Sequence, residues 1–407
     1  MSVKGSVKVA ARRSAIWLAN RVERDRLRRA ALPGGPTSPS RSASLLDIEA
    51  HARRLMDPVA WSGFALGAGD GLTIDWNRQA FDRLALCPRF LGDLSAIDTE
   101  VDLFGEKMPS PLILAPTGFQ RAMHPNGETE TVIGAGRQGV TAVISSVSTT
   151  PFPALAAQAT APLWFQMYIG KDRGVTAATV ELVAQAGCKA LCVTVDSPSF
   201  GARDKIVPMD RSPWSLVRRC QVAATRHRMS LPTPHGQGAS DAIRTGWEVT
   251  WADIDWLRSI TRLPIILKGV LHPQDAVAAH DHGVDGVIVS NHGGRNLDTS
   301  LATIDALGPV ADAIGGKMAV MMDGGVRRGT DVLKALALGA KAVLIGRPYV
   351  YGLFLNGHAG VSRVIEILNR EFIMAMLLAG ETSANAVSRE ILRPLSAVSP
   401  PGGGGRA

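Results

Sequence analysis

Eight short runs rich in β-branched and aliphatic residues, most of them separated by segments of helical character, constrain this chain more than any other feature. In order they are Leu112–Thr117, Thr141–Ser146, Leu163–Ile169, Ala190–Asp196, Leu263–Gly269, Gly286–His292, Ala319–Gly325 and Ala342–Pro348. Strands that alternate with helices join through parallel crossovers, and continuous apolar runs such as Val287-Ile288-Val289 need cover on both faces. Eight such units predict an α/β fold, a closed (β/α)8 TIM barrel. The doubly wound sheet is the alternative, but it places a glycine fingerprint after its first strand. The turn here is Pro116-Thr117-Gly118-Phe119, which does not match. A barrel commonly needs about 250 residues, so the 407-residue chain has room for additions. The expected organisation is a basic, Pro/Gly/Ser-rich extension over residues 1–45, a single barrel domain over 46–385 and a tail over 386–407, both extensions being flexible.

The composition, 46% hydrophobic and 20% charged, is that of a globular protein with a substantial core. The net charge of +8 is local: residues 1–30 hold 9 Lys/Arg against 2 Asp/Glu, leaving 35 basic and 34 acidic side chains for the rest. A body so close to neutral gives no reason to expect a nucleic-acid partner. Cys87, Cys188, Cys192 and Cys220 are too scattered for a disulfide framework, and no further Cys or His cluster completes a zinc site. No metal is expected, and a reducing, cytoplasmic setting fits. Arg12-Arg13 precede an apolar run of six residues, shorter than the roughly 7–15 of a signal core. No apolar stretch reaches the roughly 18 residues of a membrane span. Val361–Leu378, interrupted by Arg363, Glu366, Arg370 and Glu371, reads as an amphipathic packing helix. The basic amino-terminal stretch and the long segment Lys205–Arg244 leave room for a peripheral contact at the inner face of a membrane, although a loop covering an active site accounts better for the second.

Polar residues gather where a barrel places its chemistry. Asp196, Lys268, His292 and Asp323 fall at or near the carboxyl ends of their strands, the catalytic face of this architecture. Singly, each has a plain structural role: an Asp caps a helix, a Lys reaches solvent, a His packs. Four at one end of one barrel indicate a site. Gly324-Gly325-Val326-Arg327-Arg328-Gly329 follows the seventh strand and Gly346-Arg347 ends the eighth. Glycines admit backbone N–H groups to phosphate, arginine grips its oxygens, and these two loops are the usual phosphate site of a barrel. Beside a flavin ring, Lys268 would stabilise the negative charge that builds up on reduction.

At these residues the chain resembles the FMN-dependent 2-hydroxy-acid dehydrogenase family, which includes glycolate oxidase, the flavin type of L-lactate dehydrogenase and mandelate dehydrogenase. The resemblance runs from about Asp47 to Asn385. Its most specific blocks are Ser290-Asn291-His292-Gly293-Gly294-Arg295-Asn296-Leu297-Asp298 and Asp323-Gly324-Gly325-Val326-Arg327-Arg328-Gly329-Thr330-Asp331. It implies FMN as cofactor, with Pro116, Thr117 and Gly118 passing the ring, Ser145, Gln166 and Thr194 bonding it, and Lys268 and Ser290 at its pyrimidine and ribityl sides. Asp323, Gly324, Gly325, Val326, Arg327, Gly346 and Arg347 match the ribityl and phosphate contacts. In the substrate site it implies His292 as base, Asp196 as its partner, Arg203 and Arg295 on the carboxylate and Tyr168 on the substrate oxygen. A histidine has its ordinary pKa near operating pH, as a general base requires, and guanidinium geometry suits a two-point grip on a carboxylate. Removal of the hydroxyl proton with hydride transfer and removal of the carbon-bound proton use the same residues.

One position departs from the family pattern, and a second bears on the electron acceptor. Gly63 stands where an active-site tyrosine is usual, which implies a substrate bulkier than glycolate or lactate, or one held differently, with a non-standard substrate as a further alternative. Gly118 occupies a place often alanine in the family's oxidases and often glycine in its dehydrogenases, which points to a dehydrogenase passing electrons to a quinone or carrier protein, with oxygen as the alternative acceptor. The resemblance also implies a homo-oligomer, a tetramer. A nucleotide dehydrogenase on the same scaffold needs a cysteine nucleophile, and no cysteine follows Cys220. A decayed flavin-binding or membrane-associated module is the non-enzymatic reading, and the joint presence of His292, Asp196, Arg203 and Arg295 argues against it.

Overall fold

The structure is a computed structural model that describes residues 42–202, 205 and 248–395. Three helices, α1 (Leu45–Leu55), α2 (Pro58–Ala65) and α3 (Leu72–Asp82), precede the barrel. The barrel strands are β1 (Leu112–Leu114), β2 (Thr141–Ser145), β3 (Leu163–Met167), β4 (Leu191–Thr194), β5 (Ile265–Val270), β6 (Gly286–Val289), β7 (Ala319–Asp323) and β8 (Ala342–Ile345). Between and after them lie α4 (Glu128–Gly136), α5 (Phe152–Ala156), α6 (Arg173–Gln185), α7 (Trp251–Ile260), α8 (Pro273–Asp281), α9 (Thr303–Ile314), α10 (Gly329–Ala337) and α11 (Arg347–Ala379).

The eight strands close into one parallel barrel, β8 pairing with β1 through Leu344 opposite Ile113, and β6 with β7 through Ile288 opposite Met321. Almost every strand residue is buried, because the interior is filled by side chains and the outer face is covered by helices. Seven of the eight strands stop short of their expected carboxyl ends, and β5 runs one residue past its own, to Val270. Just beyond β6 and β7 the chain leaves extended geometry: His292 has φ +56°, and Gly324 and Gly325 have φ +102° and +78°.

Two antiparallel pairs escaped the sequence reading. Val101–Leu103 pairs with Glu106–Met108 across Phe104-Gly105, both with positive φ, as a two-residue hairpin with the twist of its strands requires. Phe104 packs on Trp164, with ring centroids 5.6 Å apart, at the amino end of the barrel. Leu84–Leu86 pairs with Leu392–Pro394, and Ile391 is buried. The packed body therefore runs past 385, where the tail was expected to begin. At the other end, Ser42 and Leu45 are buried and Ser44 caps α1 through a reciprocal box with Asp47. Of the expected extension, residues 1–41 lie outside the described residues. Among the described residues no helix is long and apolar enough to cross a membrane.

The expected helix over 361–378 is the second half of α11, which kinks at Asn356 and Gly357. Glu130 of α4 holds the kink: it accepts the His358 backbone N–H at 2.8 Å, lies 2.6 Å from His358 Nδ1, and accepts from Asn126 Nδ2 at 2.8 Å. Burial raises the Glu130 pKa, but the hydrogen bonds from Asn126 and His358 outweigh it and bring it from 4.5 to about 2. A depressed carboxylate pKa contributes stability above its unfolded value and loses it as pH falls through the folded value. Glu130→Gln should therefore cost about 1–3 kcal/mol at neutral pH, measured by urea unfolding. The gap to wild type should close as pH is lowered from 4.5 towards about 2. A gap independent of pH over that window would contradict the role given to the carboxylate.

Candidate active site

All eight strands contribute to one cavity of about 580 Å³ at the carboxyl end of the barrel. Pro116, Thr117 and Gly118 follow β1, Ser145, Gln166, Thr194 and Lys268 come from β2 to β5, and His292 follows β6. Asp323 to Arg327 lie at and after β7, and Gly346 and Arg347 follow β8. Tyr168 and Arg295 also line it. Ser290 lies just behind, against Lys268, and Asp196 behind His292. Arg203 lies outside the described residues.

At its base is a layer of charge. Lys268 is 4% exposed, with Nζ 3.0 Å from Asp323 Oδ2 and donating to Ser290 Oγ at 2.8 Å. Burial pushes its pKa down, but the carboxylates of Asp323 and Asp196 more than reverse this and hold it well above the usual value. The ammonium therefore stays charged. Asp196 feels burial first, yet the His292 charge and hydrogen bond, with Lys268 behind them, bring its pKa below the usual range. Asp196 Oδ1 lies 2.9 Å from His292 Nδ1, and Ser197 Oγ donates to the same oxygen at 3.1 Å. Asn296 Nδ2 donates to the Asp196 carbonyl at 2.7 Å. A carboxylate on Nδ1 favours the tautomer with the proton there, leaving Nε2 as the basic nitrogen.

The backbone explains how the imidazole reaches this place. His292, Gly293 and Gly294 all have positive φ, so the chain turns sharply after β6. Left-handed geometry in a non-glycine residue is uncommon and gathers at functional sites. The His292 N–H donates to Ser290 Oγ at 3.1 Å, tying the turn to the hydroxyl that receives Lys268. Under Asp196, Gly269 is obligatory: a Cβ there would lie 2.5 Å from the Asp196 Cβ.

The opposite wall is polar and ordered. Ser145 Oγ donates to Gln166 Oε1 at 2.9 Å, and Gln166 Nε2 donates to Thr194 Oγ1 at 3.0 Å, a chain across three adjacent strands. The loop after β1 is held by residues that the sequence reading missed. Tyr349 OH donates to the Ala115 carbonyl at 2.9 Å, and Gln120 Nε2 donates to the Thr117 carbonyl at 3.0 Å. Neither residue lies in a motif that the sequence marks out. Gly118 makes a close approach: a Cβ there would lie 2.3 Å from Val147 Cγ2 and would require that side chain to shift.

Several buried polar atoms facing this end have no hydrogen-bond partner among the described residues, including Asp323 Oδ1, Arg347 Nη2 and Tyr351 OH. An acceptor beside the strand ends and donors at the start of α11 are the complement of a polyol ending in phosphate. Gly325 has no room for a side chain, its Cβ position lying 2.2 Å from the Asn77 carbonyl oxygen. These residues fit the ribityl phosphate of FMN. Arg327 Nε pairs with Glu49 at 2.9 Å. Arg347 donates from Nη1 to the Gly293 carbonyl at 2.9 Å and from Nε to that of Phe64 at 3.1 Å. Arg295 donates to the carbonyls of Gly63, Phe64 and Leu66 at 2.9, 3.3 and 3.1 Å, so it is seated on the carboxyl end of α2, beside Gly63.

Comparison with known proteins agrees with this geometry. The FMN-dependent dehydrogenase family matches residues 52–394. An L-lactate oxidase from Nostoc sp. is 40% identical over 84% of this chain and 96% of that protein. Human 2-hydroxyacid oxidase 2 is 39% identical over 86% of this chain and 97% of its own length, and glycolate oxidase of Spinacia oleracea 39% over 84% and 93%. A solved mandelate oxidase with benzoyl-formic acid superposes with a TM-score of 0.74 at 35% identity, covering 86% of this chain and 98% of that one. The chain belongs to the FMN-dependent dehydrogenase family and is an FMN-dependent oxidoreductase acting on the CH–OH group of 2-hydroxy acids.

Proposed function

We propose that this enzyme oxidises an L-2-hydroxy acid bulkier than glycolate to its 2-oxo acid, with His292 as the base and oxygen as the electron acceptor. The observation that carries this reading is the His292–Asp196 pair, 2.9 Å apart, at the cavity that also holds the unpartnered cofactor-type donors and acceptors. Two electrons and two protons leave the substrate. Bound FMN would take up the two electrons and one of the protons, and oxygen would then reoxidise it. His292 Nε2 takes a proton, and Asp196 orients the ring and stabilises the imidazolium. Tyr168 and Arg295, with Arg203, hold the substrate oxygen and carboxylate.

Gly63 supports the larger substrate. A Cβ there would meet nothing within 4 Å, and the residue lines the cavity with Val59, Phe64 and Phe200. An apolar side chain, such as the phenyl group of mandelate, fits that space. The expectation of a dehydrogenase rested on Gly118. The clash with Val147 accounts for that glycine without reference to an acceptor, and the relatives above are named as oxidases. The first point removes the reason for a dehydrogenase, and the second favours oxygen.

Anaerobic mixing with glycolate, lactate and mandelate should bleach the flavin fastest with the bulkiest acid. Equal rates on all three would overturn the substrate assignment. Gly63→Tyr should reverse the order in favour of glycolate. His292→Asn should slow bleaching by about 10²–10⁴-fold at unchanged flavin content, and an unaffected rate would remove His292 from the chemistry. Reduced enzyme should reoxidise faster with oxygen than with a quinone analogue, and the reverse order would restore the dehydrogenase reading.

A further inference from the structure

The first two turns of α11 carry two tyrosines with different fates. Tyr349 is fully provided for, donating to the Ala115 carbonyl and receiving Gln120 Nε2 at 3.2 Å. Tyr351 is 1% exposed and lines the cavity, yet its hydroxyl has no partner among the described residues. Its ring is held face to face with Trp61, centroids 5.4 Å apart and planes 15° from parallel. Trp61 lies on α2, next to the segment whose carbonyls receive Arg295 and Arg347. The hydroxyl is thus confined to one place, and a buried hydroxyl left unpaired is costly.

Its surroundings name the missing partner. Tyr351 follows Arg347 by four residues and so lies on the same face of the helix. The charges acting on it are Glu49, Arg347, Arg327 and Arg295. Burial, with Glu49 adding to it, raises its pKa to about 12 against the pull of the three arginines, so the group stays protonated and remains a donor. Arg347 Nη2 is the other buried donor here without an acceptor. A neutral O–H and a guanidinium N–H, both unpaired and one helical turn apart, call for one group with several acceptor oxygens and negative charge.

We propose that the Tyr351 hydroxyl is a ligand of the FMN phosphate, donating to it beside Arg347. This rests on the reading that the Arg347 end of the cavity takes the phosphate. The other anion available is the substrate carboxylate, and the neighbourhood of Arg347 and Arg327 favours the phosphate.

The test compares Tyr351→Phe with wild type in titrations of flavin-stripped protein by FMN and by riboflavin, followed by flavin fluorescence. A hydrogen bond to a charged group should be visible as a rise of about tenfold to a hundredfold in the Kd for FMN. Riboflavin, which has no phosphate, should bind both proteins equally, and thermal unfolding should confirm that the variant is folded. If wild type does not prefer FMN over riboflavin, the phosphate reading fails and the proposal with it. If wild type prefers FMN and the variant keeps the full preference, the reading stands and Tyr351 is not a ligand. Equal weakening for both flavins would make the hydroxyl structural. Unchanged FMN affinity with a raised KM for the hydroxy acid would assign it to the substrate carboxylate. Each of these last two outcomes overturns the proposal.

Discussion

A buried ammonium ties the two halves of this active site together. Lys268 contacts Asp323, which faces the cofactor end, and shares Ser290 with the His292 turn, while its charge also acts on Asp196. Burying one charge alone is costly, and buried charges persist only when paired and hydrogen-bonded. Here the cation pairs with Asp323 and its charge also acts on Asp196, so each group offsets part of the desolvation of another. Asp196 can then stay ionised at 14% side-chain exposure and hold the imidazole. The polarity the reaction needs is built into the end of the barrel before any ligand binds.

The barrel makes that arrangement accessible. Parallel strands end together, so side chains distant in sequence meet above one rim. Some site residues are the last of their strands and others follow at once in sharp turns, where His292 to Gly294 and Gly324 and Gly325 have positive φ. Glycine is demanded by contact at Gly269 under Asp196 and at Gly325 against Asn77, and Gly118 makes a close approach to Val147. The conformational restrictions of the site are thus consequences of close packing around charged groups.

The eight strands were legible because a strand buried on both faces reads as a continuous apolar run, and the site because its polar residues interrupt those runs at one end. The expected strands ran on into the loops for the same reason: nothing in an apolar pattern marks where backbone geometry changes. Three-residue strands such as Leu84–Leu86 and Leu392–Pro394 are too short to show a period, so the carboxyl-terminal boundary was placed early. Tyr349 and Tyr351 sit in the apolar run after Arg347, where nothing local marks a role for a hydroxyl. Their different hydroxyl environments depend on Ala115, Gln120 and Trp61, which are far away in sequence. Glu49 on Arg327 was equally invisible, since ion pairing between distant segments leaves no local signature.

The central claim is that Asp196 and His292 act as one unit within this charged layer. Residues acting as a unit lose their effects non-additively. The direct measurement is a double-mutant cycle on the rate of anaerobic flavin bleaching, using Asp196→Asn, His292→Asn and both together. If the pair is one device, the double variant should be little slower than the slower single variant. A double variant whose loss equals the product of the two single losses would show that the groups act independently and would contradict the account.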